Sequence, residues 1–404
     1  DDSLGIDAVT IAEPAIRLRQ PTSKRRAKLI PRATLLFALC ASLDPRLSLD
    51  RFHPYNASLG AFAEGKLRRP AGSIKETSDR SVWKHPYRTS MNRNKRIAVL
   101  APVAWRTPPR QYGAWETVAS NVAEGLSSRG WDVTLFATAD SVTRGRLHAI
   151  VERGYEEDRS VDAKVAEYLH ISETFEHAGE FDLIHSHYDF MALAFSRLVK
   201  TPVLTTIHGF SSPQVLPAYV KYRDGNFVSI SESDRHPDLN YLATVYNGID
   251  LSLYPLVEKQ GKDLVFLGRI HPEKGVHLAI ETARLSHRRL VIAGIVQDAD
   301  YFRREIEPHI DGDRVRYVGP VGIDGKNELF SQADALLHLN TIPERFGLVL
   351  AEANAAGVPV IAMDLGSCRE VIADGRTGFL VHNVQEAAAA VQKTKVFGDN
   401  YSFS

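Results

Sequence analysis

The chain has 404 residues, of which 44% are hydrophobic, and its 49 basic and 49 acidic side chains cancel. Its length exceeds the usual size of one domain, and its apolar content suffices for two cores, so we predict two domains. Cys40 and Cys368 are its only cysteines, which excludes a disulfide framework or a cysteine-rich metal site and favours a reducing cytoplasm. The charge is uneven, with 18 Lys and Arg against 9 Asp and Glu in residues 1–95 and 31 against 40 in the remainder.

Residues 1–94 contain scattered Pro, Arg and Ser without a sustained helical or strand period, and the first methionine is Met91. We interpret this stretch as a disordered or non-native extension, with the folded protein beginning near residue 95. The alternative is a basic arm for nucleic acid or anionic lipid, which the lack of interleaved aromatic residues disfavours. The apolar run 34–43 is too short for a membrane span, and a signal-peptide core is its alternative interpretation.

After residue 95, short β-rich apolar runs alternate with helical patterns, which predicts an α/β protein with parallel sheets. A polar joint near residues 255–262 separates two such series, so we predict Rossmann-like, doubly wound domains at 95–257 and 258–404. Two facing sheets of this kind enclose a cleft at the carboxyl ends of their strands. The predicted strands are 97–102, 132–138, 182–187, 202–208, 227–231, 244–247, 264–268, 290–293, 315–318, 335–339 and 359–363, and the predicted helices are 114–128, 162–178, 384–395 and one from about 274.

Two segments of the second series have chemically informative residues. In GRIHPEKG (268–275) a strand ends in Arg269, turns through proline and presents Lys274 at a predicted helix start. Two cations beside a helix N-terminus suit a diphosphate, because Arg offers a bidentate fork, Lys a point charge and the helix a partial positive charge. A solvated strand-to-helix turn explains the same spacing, so both interpretations stay open.

The second segment, PERFGLVLAEA (343–353), follows a buried strand. If its helix starts near Phe346, Glu352 lies on a mostly apolar helical segment, where a carboxylate needs a partner such as ribose hydroxyls. Gly347 permits close approach of a ligand, and the free amides of Leu348 and Val349 are candidates for binding phosphate.

The order of these motifs resembles the large retaining glycosyltransferase family 4, which has the GT-B fold. Its signature of two glutamates separated by seven residues matches Glu344 and Glu352, downstream of Arg269 and Lys274. Supporting segments are YGAWE at 112–116, HGF at 208–210 and YNGID at 246–250. The resemblance implies a glycosyl transferase that uses a nucleotide sugar and retains the anomeric configuration.

The resemblance also implies roles for individual residues. Arg269 and Lys274 would neutralise the donor diphosphate without a metal ion, and Glu352 would hold ribose hydroxyls. Glu344 would lie beside the donor sugar, and His208 would contact a sugar hydroxyl near the reacting carbon. The implied catalytic set is therefore His208, Glu344, Arg269 and Lys274. The implied donor-binding set is Gly113, whose loop would approach the diphosphate, Val318 and Gly319, whose backbone would hold the base, and Arg269, Lys274, Glu344, Gly347, Leu348, Val349 and Glu352.

The sequence departs from the family in two places that bear on function. The usual paired glycines of the opening loop are Tyr112 and Gly113 here, and the chain reaches Ser404 soon after the last predicted helix. A further helix usually crosses back to the first domain, so the second domain is expected to be short at its C-terminus. The alternative functions are a sugar-nucleotide epimerase on the same scaffold and an inactive, truncated nucleotide-sugar-binding homologue.

The expected ligands follow from the same resemblance. We expect a UDP- or GDP-linked donor as co-substrate, a carbohydrate, lipid or small-molecule acceptor, no cofactor, no nucleic acid and no metal ion. His185 and His187 flank Ser186 at a strand end and would suit zinc only if a third ligand converged on them. We expect a cytoplasmic protein and leave open a peripheral contact with the inner face of the membrane.

Overall fold

The computed structural model describes residues 95–210, 213–257 and 261–400, the last six of these through their backbone only. The interpretation of residues 1–94 lies outside the described residues. Among the described helices, none combines the length and the apolar character that crossing a bilayer requires.

The first part of the chain forms a seven-stranded sheet in which every strand pair is parallel. Its order is β3-β2-β1-β4-β5-β6-β7, so β1 lies in the interior and the strand order reverses between β1 and β4. Val99 packs into the core on one face and Leu100 into the core on the other, as expected for a strand buried on both sides. The strands are β1 Arg96–Leu100, β2 Asp132–Phe136, β3 Arg146–His148, β4 Leu183–Ser186, β5 Val203–Ile207, β6 Asn226–Ser229 and β7 Tyr241–Thr244.

The second part forms a six-stranded parallel sheet with the order β10-β9-β8-β11-β12-β13. Here the order reverses between β8 and β11. Its two faces are again covered by separate apolar cores, one around Leu337 and the other around Leu336. The strands are β8 Asp263–Leu267, β9 Leu290–Ala293, β10 Val315–Tyr317, β11 Ala333–His338, β12 Val360–Met363 and β13 Gly378–Val381.

Helices connect the strands and cover both sheets. The first of them buries Val118, Ala119, Val122, Ala123 and Leu126, whose helical spacing gives one apolar face against the sheet. The final helix packs on the fourth helix and on the second sheet. The helices are α1 Ala114–Ser127, α2 Ala163–Glu176, α3 Leu216–Lys221, α4 Val276–Ser286, α5 Ala299–Tyr301, α6 Ile323–Gln332, α7 Leu348–Ala355, α8 Cys368–Val371 and α9 Val384–Asn400.

The prediction of two doubly wound parallel sheets is confirmed. One strand lies earlier than predicted, because the strand expected at 244–247 is β7 at Tyr241–Thr244. Two helices begin within two residues of their predicted starts. The helix expected from about Lys274 begins at Val276, and Lys274 ends a short 3-10 turn, Pro272–Lys274. The helix expected near Phe346 begins at Leu348, because Gly347 takes a left-handed conformation and precedes it.

The two sheets are joined by polar contacts between loops. The Glu370 carboxylate, next to the second sheet, accepts hydrogen bonds from the backbone N–H groups of Glu232 at 2.8 Å and Ser233 at 2.9 Å and from the Tyr246 hydroxyl at 2.9 Å. The Arg345 guanidinium forms an ion pair of 2.9 Å with Asp234, which is buried after β6. These contacts hold the carboxyl ends of the two sheets against each other.

Candidate active site

Several of the candidate residues lie at the two places where the strand order reverses. In the first sheet, Gly113 is in the loop after β1 and His187 directly follows β4. In the second sheet, Arg269 follows β8 and Glu344 follows β11. Such reversal points open a crevice beyond the strand ends, which is where open parallel sheets bind their ligands.

Glu344 is the most heavily hydrogen-bonded of the predicted site residues. Its Oε2 accepts from Lys274 Nζ at 2.8 Å, from His338 Nε2 at 2.9 Å and from Asn340 Nδ2 at 2.6 Å. Its Oε1 accepts from the backbone N–H of Arg345 at 3.0 Å. A carboxylate that is buried with this many donors is fixed in place and in charge.

The charge of Glu344 follows from these partners. Burial by itself would raise the pKa of Glu344, but the hydrogen bond from His338 and the nearby Lys274 ammonium hold that pKa well below its ordinary value. Glu344 is therefore a buried carboxylate, and the partly buried Lys274 forms an ion pair with it. The predicted diphosphate ligand Lys274 thus lies next to the predicted sugar-side residue Glu344.

Gly366 supports the backbone of Glu344 from the loop after β12. The two residues form an isolated parallel bridge, and the Ser367 N–H donates to the Glu344 carbonyl oxygen at 3.0 Å. Gly366 has a φ of +61°, and a Cβ there would lie 2.2 Å from the Glu344 carbonyl oxygen. Only glycine fits at this position without moving the loop that contains Glu344.

Arg269, the second predicted cation, projects from the end of β8. Its guanidinium donates to the Gln297 side-chain oxygen. It also lies close enough to Tyr112, in the first sheet's opening loop, to oppose the rise in the Tyr112 pKa that burial causes. Arg269 is therefore near the opening loop of the first sheet, and its role as a donor ligand stays a prediction.

Glu352 lies inside α7 with 3% of its surface exposed. Its carboxylate accepts two hydrogen bonds of 2.9 Å from Lys326 Nζ and one of 2.8 Å from the Tyr254 hydroxyl. The buried carboxylate of Glu352, which was predicted to need a partner, thus has Lys326 and Tyr254 as partners within the chain. The implied contact of Glu352 with ribose hydroxyls stays a prediction.

Helix α7 begins at the edge of the cleft. Its N-cap, Gly347, has a φ of +77° and supplies no capping side chain, so the first-turn amides of Leu348 and Val349 are not capped from that position. A Cβ on Gly347 would meet the Leu350 side chain at 2.7 Å. The use of these amides for phosphate stays a prediction.

The remaining donor-binding positions lie in two loops. Val318 is 47% exposed after β10, and the Gly319 carbonyl accepts a 2.9 Å hydrogen bond from Gly294, which follows β9. Gly113 immediately precedes α1, with a φ of +146° and its would-be Cβ 2.9 Å from a Pro109 carbon. All three predicted positions thus belong to loops at the carboxyl ends of strands.

The first sheet contributes a stack of buried aromatic rings. His208 lies 5.2 Å from His187 between ring centroids and 5.5 Å from Trp115, with both pairs stacked. His187 Nδ1 and His208 Nε2 share a 3.0 Å hydrogen bond, and His185 Nε2 bonds the Thr206 hydroxyl at 2.8 Å. In the described part of the chain, His185 and His187 do not belong to a group of three metal-ligating side chains.

These histidines are held neutral by burial. Desolvation lowers the pKa of His185 to about 4 and that of His208 to about 3, and it lowers the pKa of His187 well below its ordinary value. A neutral imidazole can donate or accept one hydrogen bond, which suits an uncharged hydroxyl better than a phosphate.

Glu116, in the first turn of α1, lies in the same neutral environment. It is 3% exposed, and desolvation raises its pKa to about 7, against the opposing effect of backbone hydrogen bonds from Glu116 itself and from Trp105. Burial therefore favours the neutral form of this carboxyl.

Several partners in this site were not predicted from the sequence. His338 and Asn340 end a buried strand on the same side, and this pair of polar residues just before Glu344 was a usable signal. Lys326 and Tyr254 gave no comparable signal, because α6 was not predicted and Tyr254 lies in the polar joint. Asp234 and Arg345 meet only through the approach of the two sheets.

Two family models match successive parts of the chain. The model described as Glycosyltransferase Family 4 matches residues 115–253, and the model described as Glycosyl transferases group 1 matches residues 255–399. Their junction falls between the last strand of the first sheet and the first strand of the second.

Individual proteins similar to this chain have names of sugar-transferring enzymes. A phosphatidyl-myo-inositol mannosyltransferase of Mycobacterium tuberculosis is 26% identical over 325 residues, which cover 71% of this chain and 82% of that protein. A glycogen synthase of the same species is 26% identical over 351 residues, covering 72% of this chain and 84% of the relative.

Among solved structures, Anabaena HepE in complex with UDP and glucose aligns with a TM-score of 0.59 at 20% identity, over 76% of this chain and 93% of HepE. The fold is therefore GT-B, as predicted.

Proposed function

Because this chain belongs to glycosyltransferase family 4, we propose that it transfers a sugar from a nucleotide diphosphate sugar to an acceptor, with retention of configuration and without a metal ion. The observation that supports this most is the ion pair of Lys274 with Glu344 at the reversal point of the second sheet, where Arg269 also lies in the loop after β8. We assign donor binding to this wall of the cleft.

The departing nucleoside diphosphate needs positive charge. Arg269 and Lys274 supply it from two sides of the loop after β8, and the uncapped start of α7 adds amide donors. Glu344 holds the Lys274 ammonium at 2.8 Å and thereby fixes its position before the diphosphate arrives. Charges that are already oriented stabilise a developing phosphate charge without reorganisation during the reaction.

The sugar occupies the space between this charged wall and the neutral histidines. His208 is assigned to a hydroxyl of the donor sugar, because a neutral ring offers a hydrogen bond without attracting the diphosphate. Glu344 lies on the sugar side of Lys274, and Glu352 is assigned to the ribose. The retained configuration rests on membership of the family alone.

The donor and acceptor classes are supported by the relatives. HepE was solved with UDP and glucose, which supports a UDP-linked donor, with a GDP-linked donor as the other candidate. The inositol-lipid mannosyltransferase and the glycogen synthase support a lipid or carbohydrate acceptor. A cytoplasmic site of action, with peripheral contact to a membrane, belongs to the same proposal.

A donor-binding experiment tests the assignment. The thermal stability of the full chain is measured with UDP-, GDP- and ADP-linked sugars in the presence of EDTA, for the wild type and Arg269→Ala. At a donor concentration of about 100 times Kd the stabilisation is about 2.7 kcal/mol, which raises Tm by a few degrees. We expect one nucleotide class to give this shift and Arg269→Ala to lose it.

The exposed Arg284→Ala, in the last turn of α4, is the matched control and should respond like the wild type. If no donor stabilises the wild type, or if Arg269→Ala responds equally, the donor-site assignment fails. A separate measurement tests the stereochemistry: anomeric proton couplings in the NMR spectrum of the transfer product establish retention or inversion.

A further inference from the structure

A second cluster of chemically reactive side chains lies in the first domain, on elements that contain none of the donor-site residues. His148 is the last residue of β3, Glu173 lies in the last turn of α2, and His177 directly follows that helix. Nε2 of His148 is 2.8 Å and Nε2 of His177 is 3.1 Å from Oε1 of Glu173. One ligand atom from each residue lies within 4.8 Å of the others.

The donor set and its dimensions fit a zinc ion. Two imidazoles and one carboxylate are a set that zinc commonly uses when it keeps one position open. Tetrahedral zinc places its nitrogen and oxygen ligands about 3.4 Å from one another. The observed nitrogen-to-oxygen distances of 2.8 and 3.1 Å are shorter than this by about 0.6 and 0.3 Å, so the side chains would have to rotate apart to admit the ion.

A further contact orients one of the histidines for metal binding. Nδ1 of His177 is 2.6 Å from the Glu180 carboxylate. When Nδ1 donates its proton to a carboxylate, the lone pair of Nε2 is free for a metal, and this arrangement is common around zinc. The His148 ring is likewise held, because it packs 4.7 Å from the ring of the buried Phe136.

The site also has room for a fourth ligand. A cavity of about 210 Å³ adjoins it, and His148, His177 and Glu180 line it together with Arg96 and Arg146. The Arg146 guanidinium is paired with Asp132 at 2.9 Å. Three protein ligands leave one position of a tetrahedral ion, and a cavity of this size admits a water molecule there.

We propose that His148, Glu173 and His177 bind one zinc ion, with water in the fourth position and Glu180 as the hydrogen-bond partner of His177. This proposal departs from the sequence-based expectation, which was that the protein binds no metal ion. The ion would cross-link β3, a three-residue edge strand with one neighbouring strand, to the end of α2. Its effect would be on the stability of the first domain, and the transfer reaction would need no metal.

The test is a zinc titration of the full chain by isothermal calorimetry after treatment with chelator and dialysis. We expect the wild type to bind one equivalent more than Glu173→Gln, His177→Gln or His148→Gln. Glu180→Gln should retain the site but bind about 10- to 100-fold more weakly, as is usual for partners of metal ligands. Magnesium should not compete, because it prefers oxygen ligands.

Glu176→Gln is the matched control, since Glu176 is exposed on the same turn of α2 and should leave binding unchanged. Circular dichroism of each variant establishes that it is folded, and His148→Gln tests the site from a different element than Glu173→Gln. The proposal is overturned if the wild type binds zinc no better than all three folded ligand variants. It is equally overturned if Glu176→Gln loses the same equivalent.

Discussion

The two walls of the cleft have the same topology and opposite electrostatic character. The wall from the first sheet presents His185, His187 and His208, all neutral because burial lowers their pKa values. The wall from the second sheet presents Arg269 and the ion pair of Lys274 with Glu344.

Both walls use the reversal point of a doubly wound parallel sheet, so the fold explains where the residues lie and not what they do. The difference follows from partners. Glu344 is buried with a cation and three further hydrogen bonds and stays charged, whereas Glu116 is buried with backbone donors only and has a pKa of about 7. The protein thus separates a wall suited to phosphate from a wall suited to hydroxyl groups.

Removal of the cation from the charged wall is expected to have the largest effect. Lys274→Ala should lower kcat/KM for sugar transfer by about 1,000-fold, equivalent to about 4 kcal/mol, because the departing diphosphate loses a preorganised charge. It should also destabilise the fold by about 3 to 5 kcal/mol, because Glu344 stays buried without its cation. Steady-state kinetics and urea unfolding measure the two effects.

The double variant Lys274→Ala with Glu344→Gln separates them. This double variant should recover much of the lost stability while its transfer activity stays low. Lys164→Ala, exposed on α2, is the control and should change neither stability nor activity. Near-normal transfer by Lys274→Ala would show that the charged wall is not the donor site.

Glu116 gives the next largest effect, on stability. Its folded-state pKa of about 7 exceeds the unfolded value of about 4.5, so the folded state binds the extra proton between these values. This contribution is fully present below about pH 4.5 and is lost as the pH rises to about 7, by about 3 kcal/mol. Glu116→Gln should remove this pH-dependent loss and be more stable than the wild type at pH ~8.

The check is the difference in free energy of unfolding between Glu116→Gln and the wild type, measured in urea at several pH values. The wild type alone is not informative, because the buried histidines make the free energy of unfolding rise with pH while Glu116 makes it fall. Subtracting the wild-type value from that of Glu116→Gln isolates the contribution of Glu116. A difference that does not grow from about pH 5 to about pH 8 would contradict the assigned protonation.

His170 gives a smaller effect with the opposite sign. It is 1% exposed, its Nε2 bonds the Ala101 carbonyl at 2.9 Å, and burial lowers its pKa to about 4, below the unfolded 6.5. The stability linked to its neutral form is present above about pH 6.5 and is lost as the pH falls, by about 2 kcal/mol at pH ~5. In urea titrations at several pH values, the free energy of unfolding of His170→Gln should fall less steeply with acid than that of the wild type. The difference in slope should correspond to one proton. An unchanged slope would contradict burial of a neutral ring.

The smallest effect is expected at the contact between the walls. Glu370→Gln keeps the side-chain shape but leaves one acceptor oxygen where two accept now, so at least one backbone N–H loses its partner, at a cost of about 1 kcal/mol. We expect a Tm lower by a few degrees and a loss of kcat/KM below about tenfold. Glu328→Gln, on α6, is the comparison variant. A loss as large as that of Lys274→Ala would mean that Glu370 belongs to the site itself.

Much of the fold could be predicted because buried parallel strands leave a clear sequence signal. Runs such as 97–102 and 290–293 are apolar on both faces, and the structure has strands there. The strand β3 was missed because its three residues, Arg146–His148, have no apolar run. The start of α7 was placed two residues early because the left-handed Gly347 is not visible in an apolar pattern.

The site was predictable only where partners are near in sequence or belong to a known motif. Arg269, Lys274 and Glu344 were singled out in this way, and the structure pairs Lys274 with Glu344, while their roles stay predictions. The Lys326 partner of Glu352 is 26 residues away on an unpredicted helix, and Glu370 reaches residues more than 120 positions earlier. Such pairs depend on how the chain packs, which no local pattern encodes.

The bridge between Gly366 and Glu344 has a consequence for how tolerant the chain is to mutation. In a scan of all single substitutions, position 366 should tolerate no side chain well, although it has no functional group. Even alanine there would displace the backbone of the carboxylate that fixes Lys274. A map of sensitive positions would therefore mark this glycine alongside the charged residues.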